Sequence, residues 1–133
     1  MGGILILLDT HVLFWAVHDS KRLSRAAASE MRRARRGGGL AISAISLWEL
    51  SWMLARGRIL SSGTVETSLR ALTEGIAIRP ITPEIAALAT QFPDDYPHDP
   101  ADRIIGATAR AEGMTLVTRD ERIRRSPLVR TVW

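Results

Sequence analysis

Residues 4–8, ILILL, form an apolar run without alternation that stops at Asp9. A strand with one wet face would show polar residues at every second position; this run has none, so both of its faces are expected to be covered. That is the pattern of a buried strand in a parallel sheet. The remainder of the chain repeats it. Helical patterning covers residues 10–17, and residues 24–36, opened by a Ser24 cap and stopped by Gly37-Gly38-Gly39. A further helix starts at Ser43 or Ser46 and runs to Leu54 or Ala55, ending near Gly57. Others cover residues 64–74, residues 83–91 from Pro83-Glu84, and residues 99–112, stopped by Gly113. Short apolar segments at residues 40–42, 76–79 and 115–118 read as strands, with a last edge strand at 128–132 and a polar, proline-bounded loop at 92–97. Strands alternating with helices predict an α/β fold, a three-layer α/β/α sandwich around a central parallel sheet. The 133 residues, 46% of them hydrophobic, suit one domain spanning 1–133, with no internal repeat, low-complexity tract or linker.

No apolar run approaches membrane-spanning length, and the start lacks the basic leader and cleavage site of a signal peptide. Ile6 stands where a myristoylation motif needs Ser or Thr. Cysteine is absent, which removes disulfide and thiol chemistry and accords with a reducing compartment, so a cytoplasmic location is expected. The net charge is +4, and of 18 basic residues only Lys21 is a lysine. Two readings of that arginine excess stay open: a phosphate-bearing partner, which the planar guanidinium suits, or a biased genome composition.

The chemistry-bearing residues are acids at element ends. Asp9 directly follows the first strand, and Asp120 follows 115–118 after only Arg119. Asp102 lies in the first turn of the helix that feeds that strand. Glu49 sits in AISLWELSWML, with Ile45, Trp52 and Met53 at helical spacing on its own side. An unpartnered glutamate on an apolar face is costly. Each acid also has a local reading: Asp9, Asp99 and Asp120 can cap helices, Asp102 suits a helix dipole, and Glu49 can reach the rim or an arginine. Taken together, carboxylates at the strand ends of a parallel sheet fall where such folds bind ligands. Like charges so placed raise one another's pKa unless a cation neutralises them, and an all-oxygen site favours Mg²⁺ or Mn²⁺.

The segments LLDTHVLFWAV, SAISLWEL, HDPADRIIGATARAEGMTLVTRD and the terminal VRTVW together resemble a PIN-domain ribonuclease, in particular the VapC-like toxins of toxin–antitoxin pairs. The likeness runs from Leu7 to Trp133, with residues 54–76 the least distinctive. It implies that Asp9, Glu49, Asp102 and Asp120 form the family's catalytic, metal-binding acidic quartet, supported from behind by the Thr118 hydroxyl. Asp102 matches because it begins the D..I.A.A pattern; Asp99 belongs to a shortened HxDP-like lead-in, which leaves its role as cap, more distant ligand or both. The implied activity is metal-dependent endoribonuclease cleavage leaving a 5′-phosphate and a 3′-hydroxyl. The implied partners are RNA, a VapB-like antitoxin and a second copy in a homodimer. The alternative is a catalytically weak PIN-like RNA- or protein-binding module. A receiver domain would need adjacent acids after its first strand and a lysine near its last, and a haloacid-dehalogenase phosphatase an acid where His11 stands.

His11, His18 and His98 read as surface or structural residues. Trp48 and Trp52 read as core, with a groove-lining role as the alternative. Arg122, Arg124 and Arg125 are the favoured phosphate guides, ahead of the Arg32, Arg33, Arg35 and Arg36 cluster, whose simpler role is to complement a helix C-terminus.

Overall fold

The computed structural model describes residues 4–57 and 63–133; residues 1–3, read above for a lipid anchor, lie outside this range. Its strands are β1 (Leu5–Leu8), β2 (Gly39–Ser43), β3 (Ala77–Arg79), β4 (Leu116–Val117) and β5 (Thr131–Val132). The helices are α1 (Thr10–His18), α2 (Arg25–Arg35), α3 (Ala44–Ala55), α4 (Val65–Leu72), α5 (Pro83–Thr90), α6 (Pro100–Glu112) and α7 (Glu121–Arg124), with a 3-10 turn at Ser20–Arg22. The strands form a five-stranded sheet in the order β3-β2-β1-β4-β5, every pair parallel. Among the described residues no helix is long and apolar enough to cross a membrane.

The unalternating run of β1 divides between two cores, as a doubly covered strand must. Ile6 and Leu8 join Leu40, Ile42 and Val117 against Val12 of α1, Met31 of α2 and Leu50 of α3. Leu7 joins Ala41 and Leu116 on the opposite face, against Ile85 of α5, Ile105 of α6 and Ile123 of α7. The result is the expected three-layer sandwich. Ile4 lies just outside the strand and is exposed. Helix starts are capped by side chains: Ser24, Ser43, Thr64, Thr82, Asp99 and Asp120 each accept a hydrogen bond from a first-turn amide.

Two expectations are corrected. Trp48 and Trp52 are not core residues, being 60% and 46% exposed. Helix α3 turns Ser46, Leu50, Met53 and Leu54 inward, which leaves both indoles on the opposite side, edge to face with centroids 6.1 Å apart. Apolar residues encircle that helix, so periodicity could not choose its inner face. Residues 92–97 are also not a simple polar loop, since Phe92, Tyr96 and Pro97 are buried. The Arg103 guanidinium holds this segment by donating to the carbonyls of Pro97 (3.0 Å), Phe92 (2.9 Å) and Pro93 (3.1 Å), with longer bonds to Ala89 and Tyr96.

The Tyr96 ring lies against α6 at Gly106, and its hydroxyl donates to the carbonyl of Asp102 at 3.1 Å. A Cβ on Gly106 would strike the Tyr96 hydroxyl and lie 2.9 Å from the Phe92 ring. This contact explains a glycine in mid-helix, where it ordinarily costs about 1 kcal/mol against alanine. Gly106→Ala is expected to destabilise the protein by about 1–3 kcal/mol despite its better helix propensity, read as a lower urea midpoint at unchanged slope. The loss should be smaller in a Tyr96→Phe background; an unchanged or higher midpoint would show that the helix and the loop can separate without strain.

Candidate active site

The chain runs outward from β1 to β2 and β3 on one side, then to β4 and β5 on the other, so the direction reverses between β1 and β4. Carboxyl ends of strands at such a reversal leave a crevice. Asp9 leaves β1 there, Glu49 lies on α3 beyond β2, Asp102 opens α6, and Asp120 follows β4. All line one cleft of about 540 Å³, together with His11, Val12, Trp15, Asp99 and Arg119.

Hydrogen bonds hold several of these groups in place. Asp9 accepts from its neighbour's amide, Thr10, at 2.8 Å, and from the Thr118 hydroxyl at 2.8 Å. The Thr118 hydroxyl also accepts from the Asp120 amide at 3.1 Å, so one buried side chain joins the ends of β1 and β4. The Thr10 hydroxyl donates to Glu49 at 2.5 Å. Because that uses its one proton, the 2.8 Å contact between Thr10 and Ser46 must be donated by Ser46. Asp120 accepts from the amides of Arg122 and Ile123, and Asp99 from that of Asp102. Capping and lining the cleft are therefore compatible for Asp9, Asp99 and Asp120: each does both.

Every one of these donors is neutral. Among the described residues, no arginine, lysine or histidine forms an ion pair with Asp9, Glu49, Asp99, Asp102 or Asp120. Arg103, beside Asp102 in sequence, spends its guanidinium on the loop carbonyls. The electrostatic consequence has the same direction at Asp9, Glu49 and Asp102. Burial pushes the Asp9 carboxyl up, against the pull of the Thr118 hydroxyl. Burial likewise raises Glu49, with the charges of Asp9 and Asp99 adding to it. Asp102 is pushed up to about 7, by burial first and then by Asp9, Asp99, Asp120 and Glu49. The carboxylates share a cleft without meeting at a point: among the described residues no three His, Asp or Glu side chains stand together as a ready-made ion cage.

His11, Trp15 and Arg119 line the cleft as well, beyond the residues that the sequence singles out. His11 is exposed, as expected, but faces the acids, its ring 5.9 Å from that of Trp15. Arg119 carried a legible signal, its place between Thr118 and Asp120 at the end of β4. The favoured Arg124 and Arg125 instead line a separate hollow with Glu121, Thr131, Val132 and Trp133. His98 bonds the Asp94 carbonyl through Nε2.

These features define a class: parallel α/β sandwiches whose switch-point cleft is walled by carboxylates. The PIN domain family matches residues 6–127, and the chain belongs to that family. It is 42% identical to Ribonuclease VapC22 of Mycobacterium tuberculosis (strain ATCC 25618 / H37Rv), over 96% of this chain and 98% of that one. Among solved structures it is similar to VapBC2 from Rickettsia felis bound to a DNA fragment from its promoter (TM-score 0.76, 17% identity, 97% of this chain and 98% of that one). It is also similar to a toxin–antitoxin complex from Klebsiella pneumoniae (TM-score 0.70, 22% identity, 96% of each chain).

The raised Asp102 pKa sets a sign for pH dependence. The folded protein keeps that proton up to about pH 7, whereas the unfolded chain releases it near 3.8. Between those values the folded state binds more protons, so this group lowers stability as pH rises. Without divalent cations, Asp102→Asn is expected to raise the thermal midpoint more at about pH 8 than at about pH 5. Equal shifts at both would show the carboxylate to be unstrained.

Proposed function

We propose that this chain is a single PIN domain acting as a divalent-metal-dependent endoribonuclease, the toxin of a toxin–antitoxin pair. The observation that carries the reading is the cleft itself: Asp9, Glu49, Asp102 and Asp120 gathered without a cationic partner among the described residues. Such a site suits a cation, and its donor set, entirely oxygen, suits Mg²⁺ or Mn²⁺. The lack of a ready-made cage fits the same ions, since Mg²⁺ keeps several waters and takes only one or two carboxylates. Asp9 and Asp102 would hold the ion, with Glu49 and Asp120 completing the site directly or through water. When bound, the ion supplies charge neutralisation at the scissile phosphate and a lowered pKa for an attacking water.

The chain's own residues do the positioning. Thr118 fixes the rotation of the Asp9 carboxylate while tethering the segment that carries Asp120. Thr10, oriented by Ser46, fixes Glu49. Asp99 caps the helix that presents Asp102, so its part in the reading is to hold that helix end and add negative charge at the rim. The identity with Ribonuclease VapC22 supports the reaction, and the likeness to VapBC2 and to a toxin–antitoxin complex supports a VapB-like antitoxin as partner. A homodimer and a cytoplasmic location complete the reading.

Asp9→Asn and Asp102→Asn are each expected to reduce Mg²⁺- or Mn²⁺-dependent RNA cleavage to the level of a buffer blank, with an unchanged circular dichroism spectrum. Chelation with EDTA should do the same to the unmodified protein, reversibly. Cleavage by either folded variant at the unmodified rate would overturn the assignment.

A further inference from the structure

The cleft is not acidic all the way round. Its lining also carries Trp15 and Arg119. Trp15 stands at the centre of a mixed cluster, with the Arg119 guanidinium carbon 5.8 Å from its ring centre, Arg22 at 5.7 Å, and the Trp133 and His11 rings each at 5.9 Å. Arg22 is engaged elsewhere as well, in an ion pair with Asp19 at 3.2 Å. Arg119 is not. Among the described residues its guanidinium donates no hydrogen bond and forms no ion pair, although Asp120 is the next residue and caps α7 instead.

An exposed arginine held against an aromatic face, with its donors uncommitted, is arranged for an anion from outside. The anion that must enter this cleft brings several negative charges past acids of the same sign. A cation among the acids can compensate the phosphate under attack but leaves the neighbouring one facing carboxylates. We propose that Arg119, held by Trp15, is a substrate-positioning residue that binds the backbone phosphate of the RNA next to the scissile one. Planar Trp15 keeps the guanidinium fork turned to the cleft, so binding loses less side-chain freedom than a free arginine would. The pair sets where the strand lies across the acids and takes no part in moving protons or electrons. This inference rests on the nuclease reading of the same cleft, which it extends to how the strand is held.

The test uses the full chain and a single-stranded RNA oligonucleotide. Cleavage with Mg²⁺ is followed at varied RNA and salt concentrations, and binding by fluorescence anisotropy is read in the Asp102→Asn background. Arg119→Ala is expected to raise KM and Kd about tenfold, with the loss falling on KM rather than kcat. It should also flatten the slope of log affinity against log salt by about 0.7, the value for one phosphate contact on a single strand. Arg119→Lys should restore the salt slope but not the full affinity, because it keeps the charge and loses the fork and the stacking. Arg35→Ala, at the far end of α2, is the control and should leave the slope unchanged. An unaltered affinity and slope in Arg119→Ala, or an equal flattening in Arg35→Ala, would overturn the proposal. The two readings fail separately: an Asp102→Asn protein that still cleaves refutes the catalytic assignment, while the anisotropy series, repeated with EDTA present, still reads Arg119.

Discussion

Like charge held in a confined space is the constraint on which this structure depends. Asp9, Glu49, Asp102 and Asp120 share one cleft, and the groups that stabilise them are hydroxyls and backbone amides. A salt bridge to any of them would relieve the repulsion and at the same time occupy the site. Neutral donors orient the carboxylates without pairing them, and burial first, with the neighbouring acids adding to it, pushes Asp9, Glu49 and Asp102 upward. The chain has 18 basic residues, yet among the described ones none forms an ion pair with these acids.

The architecture supplies the means. Reversal of strand order between β1 and β4 opens the crevice, and the parallel register sends the helix starts near it to the same end of the sheet. Asp9, Asp99 and Asp120 then occupy helix caps, where backbone amides are turned toward them, Asp102 lies in the first turn of α6, and Glu49 reaches in from the middle of α3. Thr118 ties the reversal together, since one buried hydroxyl serves the carboxylate after β1 and the amide before α7. The core contributes by fixing α3 through Leu50 and Met53 and α6 through Ile105, so that Glu49 and Asp102 have little choice of direction.

Much of this was legible beforehand, for identifiable reasons. The ILILL run needs two covers and receives them, and the glycines at 37–39 and 113 end helices where they were expected to. Asp9, Asp102 and Asp120 were readable because each sits at an element end, where local patterning places it without any knowledge of distant contacts, and Glu49 because it stood among apolar neighbours at helical spacing. What failed was direction on a surface. Helix α3 is apolar all round, so the outward projection of Trp48 and Trp52 depends on which side meets the sheet. The burial of Phe92 and Tyr96 depends on a guanidinium several residues further on. The sequence favours Arg122, Arg124 and Arg125 over Arg119 as phosphate guides because proximity along the chain does not tell which arginine lines the cleft.

The Arg103 staple gives the frame and the acids different sensitivities. Its grip is on backbone carbonyls, which do not titrate at all. Acidification can therefore discharge Asp102 while Arg103, the next residue, keeps its grip on residues 92–97. The neighbours Asp102 and Arg103 thus separate two duties: one carries a charge that solvent conditions can remove, the other an anchorage indifferent to them.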